Sequence, residues 1–334
     1  MRIIVDAFGG DNAPLAVLEG ASAAVKEYGV TVVLAGDEQK IKDCAKENNI
    51  SLAGTEILQA DDVISMHDDP TKILKEKSGS SMAVGLKALT EGKGDAFVSA
   101  GSTGALVVGG TLMVKRIKGV KRPALASMIP GKNGNYLMLD IGANADCRPE
   151  MLQQFGIMGA AYVESVEGVK NPKVALLNIG TEDTKGGELQ KEAYALLQNA
   201  PINFVGNVES REIPKGDVDV VVADGFTGNI ALKLIEGVSS TMFSMIKAVL
   251  YKNALTKIAA LILKKGLYSI KAKADYSEVG GALLLGTRFP VIKAHGSSNG
   301  YAFKNAIRQA AAFSETKVID KITKGLEDKK ETEA

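Results

Sequence analysis

Apolar residues along this chain gather in short runs, at Ile3–Val5, Val30–Leu34, Glu56–Gln59, Ala96–Ser99, Leu137–Ile141, Val174–Ile179, Ile202–Val205 and Val218–Val222. Most are apolar throughout, not alternating, which is the pattern of strands buried on both faces. Between most of them lie stretches with helical spacing: Pro14–Tyr28, Met82–Glu91, Gly104–Lys115, Met151–Val166 and Gly187–Gln198. Strand and helix in alternation predict a mostly parallel sheet covered by helices, a doubly wound α/β fold.

The alternation fails once. From Leu232 to about Lys273 the pattern predicts two consecutive helices with no strand between them, an inserted hairpin of the kind that makes dimer contacts. Within it Tyr251, Leu255, Ile258, Leu261 and Ile262 form an apolar stripe, and Lys252, Lys257, Lys264 and Lys265 stand where anionic headgroups would meet them. Dimer face and membrane face both fit this stripe. No Pro- or Ser-rich linker divides the chain. Residues 1–327 are therefore expected to form one two-lobed catalytic domain, with the charged stretch 328–334 fraying.

Composition narrows the partners. Lys and Arg number 40 against 39 Asp and Glu, so no overall field favours nucleic acid. The longest unbroken apolar run is Ile258–Leu263, far below the roughly 20 residues of a membrane span. Met1 leads straight into a strand-like run with no secretory pattern, and the only cysteines are Cys44 and Cys147. These features predict a cytoplasmic protein, with peripheral contact on the inner face of the plasma membrane left open. The 36 glycines sit singly or paired where apolar runs stop, which marks tight turns close to backbone.

Ligands in open α/β sheets bind beyond the carboxyl ends of strands. Three loops there are glycine-rich: Asp6-Ala7-Phe8-Gly9-Gly10-Asp11-Asn12-Ala13-Pro14, Ser99-Ala100-Gly101-Ser102-Thr103-Gly104 and Asp224-Gly225-Phe226-Thr227-Gly228-Asn229. Each alone also reads as a plain tight turn. Three together, with Ser, Thr and Asn donors, favour a phosphate- or oxyanion-binding cleft. None matches a nucleotide P-loop or a dinucleotide fingerprint. Lys185, in Asn178–Gly187, reads as an anion partner or as a solvated loop lysine, and so do Lys75 and Lys77 before Ser78, Ser80 and Ser81. His67 has no second ligand at metal spacing, so no metal site is expected. His295 lies in Ala294-His295-Gly296-Ser297-Ser298, a loop suited to binding, while Cys147 has no evident base and reads as a packed thiol.

Together these loops resemble one family, the fatty acyl-carrier-protein:phosphate acyltransferases of bacterial phospholipid synthesis. The resemblance runs essentially end to end and rests on the three loops above together with Leu139–Asn144, Leu177–Glu182 and Ile292–Ser298. It implies an isopropylmalate-dehydrogenase-like fold of two lobes, a homodimer and no cofactor. It also implies transfer of a long acyl chain from an acyl carrier protein thioester to inorganic phosphate. Lys185 and Asn229 stand at positions similar to the family's phosphate site, and with His295 they are the expected catalytic residues. Gly9, Gly10, Asp11, Gly101, Ser102, Thr103, Gly104, Asn144, Gly225, Thr227, Gly228, Ser297 and Ser298 are the expected substrate contacts. Phe8, Asn12, Ser102 and Gly187 depart from the family pattern, and Asn12 removes any general base from its position.

The chemistry itself demands little. Phosphate is already an anionic nucleophile and a thiolate leaves well, so the work is positioning and oxyanion stabilisation. Backbone amides and Lys185 suit the first task; Asn229, Ser102 or His295 suits the second. The rival readings are a small-acyl phosphotransacylase using coenzyme A, a nicotinamide-linked decarboxylating dehydrogenase, and a non-catalytic scaffold that binds acyl carrier protein. The dehydrogenase would need a cluster of aspartates for a divalent metal and arginines for substrate carboxylates, and few arginines lie near any loop.

Overall fold

The computed structural model describes residues 1–274 and 280–332, including the side chains of 1–266 and 280–327. Every strand the pattern predicts is present: β1 (Arg2–Asp6), β2 (Thr31–Gly36), β3 (Thr55–Gln59), β4 (Ala96–Ser99), β6 (Asn135–Leu139), β7 (Lys173–Asn178), β8 (Asn203–Glu209) and β9 (Val220–Val222). Three more strands join them, β5 (Ala124–Pro130), β10 (Gly281–Leu285) and β11 (Val291–Ala294). All eleven form one sheet in the order β3-β2-β1-β4-β11-β10-β5-β6-β9-β7-β8. The outer pairings on both sides are parallel. The central ones, β11 with β10, β10 with β5 and β5 with β6, are antiparallel. Each parallel half forms one lobe, and the antiparallel strands are the seam between them.

The interior strands are dry on both faces, as their apolar runs require, while the edge strands β3 and β8 are partly exposed. In β1, Ile3 and Val5 enter one apolar layer and Ile4 the other, and all three are fully buried. Helices α1 (Leu15–Tyr28), α2 (Glu38–Glu47), α5 (Pro149–Tyr162), α6 (Glu188–Gln198), α9 (Gly300–Glu315) and α10 (Val318–Thr332) pack on the first face. Helices α3 (Ser81–Thr90) and α4 (Thr103–Gly109) pack on the second. The predicted helices over Gly104–Lys115 and Met151–Val166 are there, but each finishes in a wider π-type turn, at Gly110–Lys115 and Val163–Glu167. Contact between α1 and α9 depends on Gly20, where a Cβ would run into Phe303. The stretch expected to fray continues α10 as helix through Thr332, while residues 333–334 lie outside the described residues.

The inserted hairpin is α7 (Gly225–Leu250) and α8 (Ala254–Ala274), with α7 starting ahead of the predicted Leu232. Asn253 and Thr256 shape its turn. The Thr256 amide donates to Asn253 Oδ1 and the Asn253 amide to Thr256 Oγ1, each at 3.0 Å, a reciprocal cap on α8. Among the described residues no helix is long and apolar enough to cross a membrane.

The start of α7 approaches the end of β6 so closely that a side chain would block it. A Cβ on Gly228 would collide with the carbonyl oxygen of Asp140, whereas one on Gly79 meets nothing within 4 Å. Gly228→Ala should therefore lower stability by about 1–3 kcal/mol or more, and Gly79→Ala by no more than about 0.5 kcal/mol. Thermal melting of the two variants measures the difference.

Candidate active site

The first lobe's loops are organised by Asp6, the last residue of β1. Its side chain is fully buried and accepts the Ser81 hydroxyl at 2.6 Å, the Ser99 hydroxyl at 2.7 Å and the Phe8 amide at 3.3 Å. Burial pushes its carboxyl above the usual carboxylate range, and these donors pull it back. Gly9 lies against this cluster: a Cβ there would sit 2.5 Å from Asp6 Oδ2 and 2.7 Å from the Gly101 amide. Gly10, at φ +104°, allows the loop to turn beneath Gly296. The Asp11 amide donates to Gly296 O at 2.8 Å, and Asn12 Nδ2 donates to the carbonyls of Ser297 and Ser298 at 3.2 and 3.3 Å. Three separate stretches of sequence are thereby fastened together. Ser80 caps α3, and Lys77 pairs with Asp62 at 2.9 Å, so this Lys/Ser segment is structural.

The second lobe repeats the device. Asp140, just beyond β6, is fully buried, and its carboxylate accepts the amides of Leu125, Gly142, Ala143 and Asn144 at 2.8–3.1 Å, plus Asn144 Nδ2 at 2.8 Å. Its carboxyl, too, is pushed up by burial. The start of α7 is seated on this platform, the Gly225 amide donating to Asn144 O at 2.9 Å. Asp224 caps α7, accepting the Thr227 amide at 2.9 Å and its hydroxyl at 2.7 Å. Of the expected substrate contacts, Asn144, Gly225, Thr227 and Gly228 stand in this platform, where the Gly225, Thr227 and Gly228 amides donate to Asn144 O, Asp224 Oδ1 and Asp224 O.

Between the platforms lies a cavity of about 600 Å³. Asp11, Thr103, Gly104, Asn229, His295 and Gly296 line it, as do Met66, Ser127, Leu232, Lys233, Glu236 and Lys293. Five of the predicted residues thus converge on one space: Asp11, Thr103, Gly104, Asn229 and His295. Asn229 extends alongside Gly142, where a Cβ would lie 3.5 Å from its Cγ, in ordinary contact. His295 Nδ1 lies 2.8 Å from Ser297 Oγ and accepts the Ser297 amide at 3.2 Å, which leaves Nε2 to carry the proton of the neutral ring. Burial raises the Glu236 carboxyl, with His295 and Lys233 opposing that shift.

The other predicted residues stand behind or beside the cavity. Gly101 donates to Ser99 Oγ at 3.0 Å, Ser102 caps α4, and Ser298 is buried with its hydroxyl unpartnered. Lys185 does not line the cavity: its half-exposed ammonium stands 3.9 Å from Glu182, on the loop after β7. Lys293, which motif reasoning passed over, is 8% exposed and does line it. The available signal was a lysine inside the apolar run Val291–Ala294. Among the described residues no group of three or more His, Cys, Asp or Glu side chains is placed to hold a metal ion. Cys147 is half-buried and burial pushes its thiol up to about 12.

Known proteins give this geometry a family. A family model described as "Fatty acid synthesis protein" matches residues 1–321. A phosphate acyltransferase of Alkaliphilus oremlandii is 49% identical over 98% of this chain and 97% of its own length. One from Clostridium acetobutylicum is 48% identical over 98% of this chain and 99% of its own. Among solved structures, the EutD phosphotransacetylase of Staphylococcus aureus superposes with a TM-score of 0.64 at 19% identity, covering 94% of both chains. A 4-hydroxythreonine-4-phosphate dehydrogenase of Klebsiella pneumoniae superposes with a TM-score of 0.53 at 13% identity, covering 94% of this chain and 99% of the other. These two likenesses concern the fold, a mostly parallel α/β sheet common to phosphotransacetylases and dehydrogenase-like proteins. The end-to-end match in sequence goes further, and places this chain in the fatty acid synthesis protein family, alongside the phosphate acyltransferases.

Proposed function

We propose that this chain transfers a long acyl group from the thioester of an acyl carrier protein to inorganic phosphate, yielding an acyl-phosphate for phospholipid synthesis. Family membership supports acyl transfer to phosphate. The observation that carries the mechanism is the make-up of the cleft, which offers a buried ammonium and neutral donors but no activated nucleophile. A phosphate oxygen attacks the thioester carbon, the new C–O bond forms, the C–S bond breaks, and the proton of hydrogen phosphate ends on the departing thiol. Asn229 and the His295 Nε2–H are the neutral donors for the transient oxyanion. Lys185 acts as a second cation from the neighbouring loop. Its exposed pairing with Glu182 is worth little, so the side chain is free to swing toward an anion in the cleft.

Phosphate-dependent loss of acyl-carrier thioester, without added nucleotide or metal, tests the reading. Turnover with a short acyl-coenzyme A alone, and none with the carrier thioester, would overturn it. In the same assay Lys185→Ala should raise the phosphate requirement.

Cys147 takes no part in this scheme. With its thiol at about 12, only roughly one molecule in 10⁵ carries a thiolate at pH 7. Cys147→Ser should keep most of the activity, and an acylated Cys147 trapped from the wild type would sink direct attack.

We further propose that the hairpin makes a homodimer and touches the membrane surface. Leu234, Val238, Met242, Met245 and Val249 recur at helical spacing along α7, all exposed in the single chain, an apolar face suited to a second copy. On α8, Leu255, Ile258 and Ile262 are 79%, 57% and 79% exposed, with Lys252 and Lys257 nearby. A tip of that composition suits an anionic bilayer and would keep a cytoplasmic enzyme beside the destination of its greasy product. The Ile258→Glu, Ile262→Glu double variant should lose binding to anionic vesicles while remaining dimeric and active in solution. A variant that falls to monomers would make this stripe a subunit interface instead.

A further inference from the structure

β11 is an interior strand, paired in parallel with β4 and antiparallel with β10, so Lys293 lies opposite Ser99 on one side and Ala282 on the other. Its strand neighbours Val291, Ile292 and Ala294 are fully buried, and Lys293 is nearly so, yet it lines the cleft cavity. An ammonium has three donors. Two of them go to backbone carbonyls, Ala100 O at 3.3 Å and Ala294 O. The third has no protein acceptor among the described residues.

The surrounding charges do not complete the site. Asp6 and Asp11 are the carboxylates that act on Lys293, but neither forms an ion pair with it, and the oxygens of Asp6 are taken by the Ser81 and Ser99 hydroxyls. Burial pushes the Lys293 ammonium down to about 8, while Asp6 and Asp11 hold it up. A charge buried without a contacting partner is costly, and proteins retain such groups where a ligand supplies the missing charge. Lys185 differs on each count: it is half-exposed, lies beside a carboxylate and stands outside the cavity.

We propose that Lys293 is the principal phosphate-binding group of the cleft, its free N–H and its charge holding the nucleophile inside the cavity. This rests on the reading of inorganic phosphate as substrate. Phosphate carries full charge throughout the reaction and takes the cation, whereas the oxyanion forms only transiently and is served by Asn229 and His295. The assignment makes Lys293 a catalytic residue, in contact with the nucleophile.

Three measurements test it, and only the first is read from activity. In Lys293→Met the KM for phosphate should rise about 10- to 100-fold, the range of a lost charge-assisted bond, with the KM for the carrier thioester unchanged. Inorganic phosphate should raise the melting temperature of the wild type and leave that of Lys293→Met unmoved. A folded variant with wild-type phosphate KM and an intact thermal shift would make Lys293 a structural residue and overturn the proposal.

The third measurement is made on the wild type, with Lys293→Arg used only to assign the signal. The Lys293 side-chain resonance, identified in ¹³C-lysine-labelled protein by its absence from Lys293→Arg, should titrate at higher pH when phosphate is saturating. The charged groups facing or sharing its cavity are Asp6 on β1, Asp11 on the following loop, His295 beyond β11, and Lys233 and Glu236 on α7. All are present in both titrations, so a midpoint that phosphate leaves unchanged refutes the contact even if the Met variant fails to fold. If the wild type binds phosphate at Lys293 but cleaves no thioester, the site stands and the proposed reaction fails.

Discussion

A carboxylate taken out of water must recover its hydrogen bonds inside the protein, and this chain meets that requirement twice. Asp6 draws in two serine hydroxyls and the Phe8 amide, and Asp140 draws in four amides and the Asn144 side chain. Burial opposes the ionised form of both, so each must keep its donors close. Those donors come from distant stretches: Ser81 and Ser99 for Asp6, Leu125 for Asp140. Satisfying the two carboxylates therefore gathers loops from across each lobe to the carboxyl edge of the sheet, where the cleft then lies between two rigid platforms. Removing either carboxylate would leave several buried donors without acceptors, a loss felt through the whole cleft wall.

The glycines follow from the same constraint. Gly9 is confined between Asp6 and the Gly101 amide, Gly225 between Asp140 and Asn144, and Gly228 under the Asp140 carbonyl. At these places the missing side chain lets backbone and carboxylate pack closely. The anion's charge partner comes from elsewhere, from a strand end at the seam of the lobes. That division suits a reaction needing no base or covalent intermediate: rigid loops set the walls, and a few donors inside set the chemistry.

What the sequence made legible follows the sheet's own organisation. The eight strands with a helix on their flank were visible, because in a parallel half each apolar run alternates with an amphipathic one. The three that escaped, β5, β10 and β11, are those of the antiparallel seam. β5 mixes Ala124, Ala126 and Ser127 and ends on Pro130; β10 is three leucines after a glycine and an alanine; β11 is four residues long and contains a lysine. Their strand character comes from long-range pairing, which a local pattern does not encode. The site divides in the same way. Glycine loops announced close backbone approach, and Asp11, Thr103, Gly104, Asn229 and His295 do converge. Whether the amides of Gly225, Thr227 and Gly228 were open could not be read locally, since their partners are Asn144 and Asp224. A loop lysine such as Lys185 looks available in sequence, while the burial of Lys293 appears only once β11 is paired between β4 and β10.

One helix ties the chemistry to the outer surface. Asn229, Leu232, Lys233 and Glu236 follow the i, i+3, i+4, i+7 spacing of a single helical face, and all four line the cleft cavity. Ile230, Leu234 and Val238, spaced at four-residue intervals, point from about a third to about half of a turn away and are exposed. α7 is thus amphipathic in an unusual sense, with one side belonging to the site and the other an exposed apolar surface. Its first turn is clamped by Asp224 and seated on the Asp140 platform, so the helix cannot rotate about its axis without breaking those bonds. Whatever covers the apolar side of α7 therefore bears on the same rigid element that positions Asn229, and the hairpin's surface and the cleft are mechanically one unit.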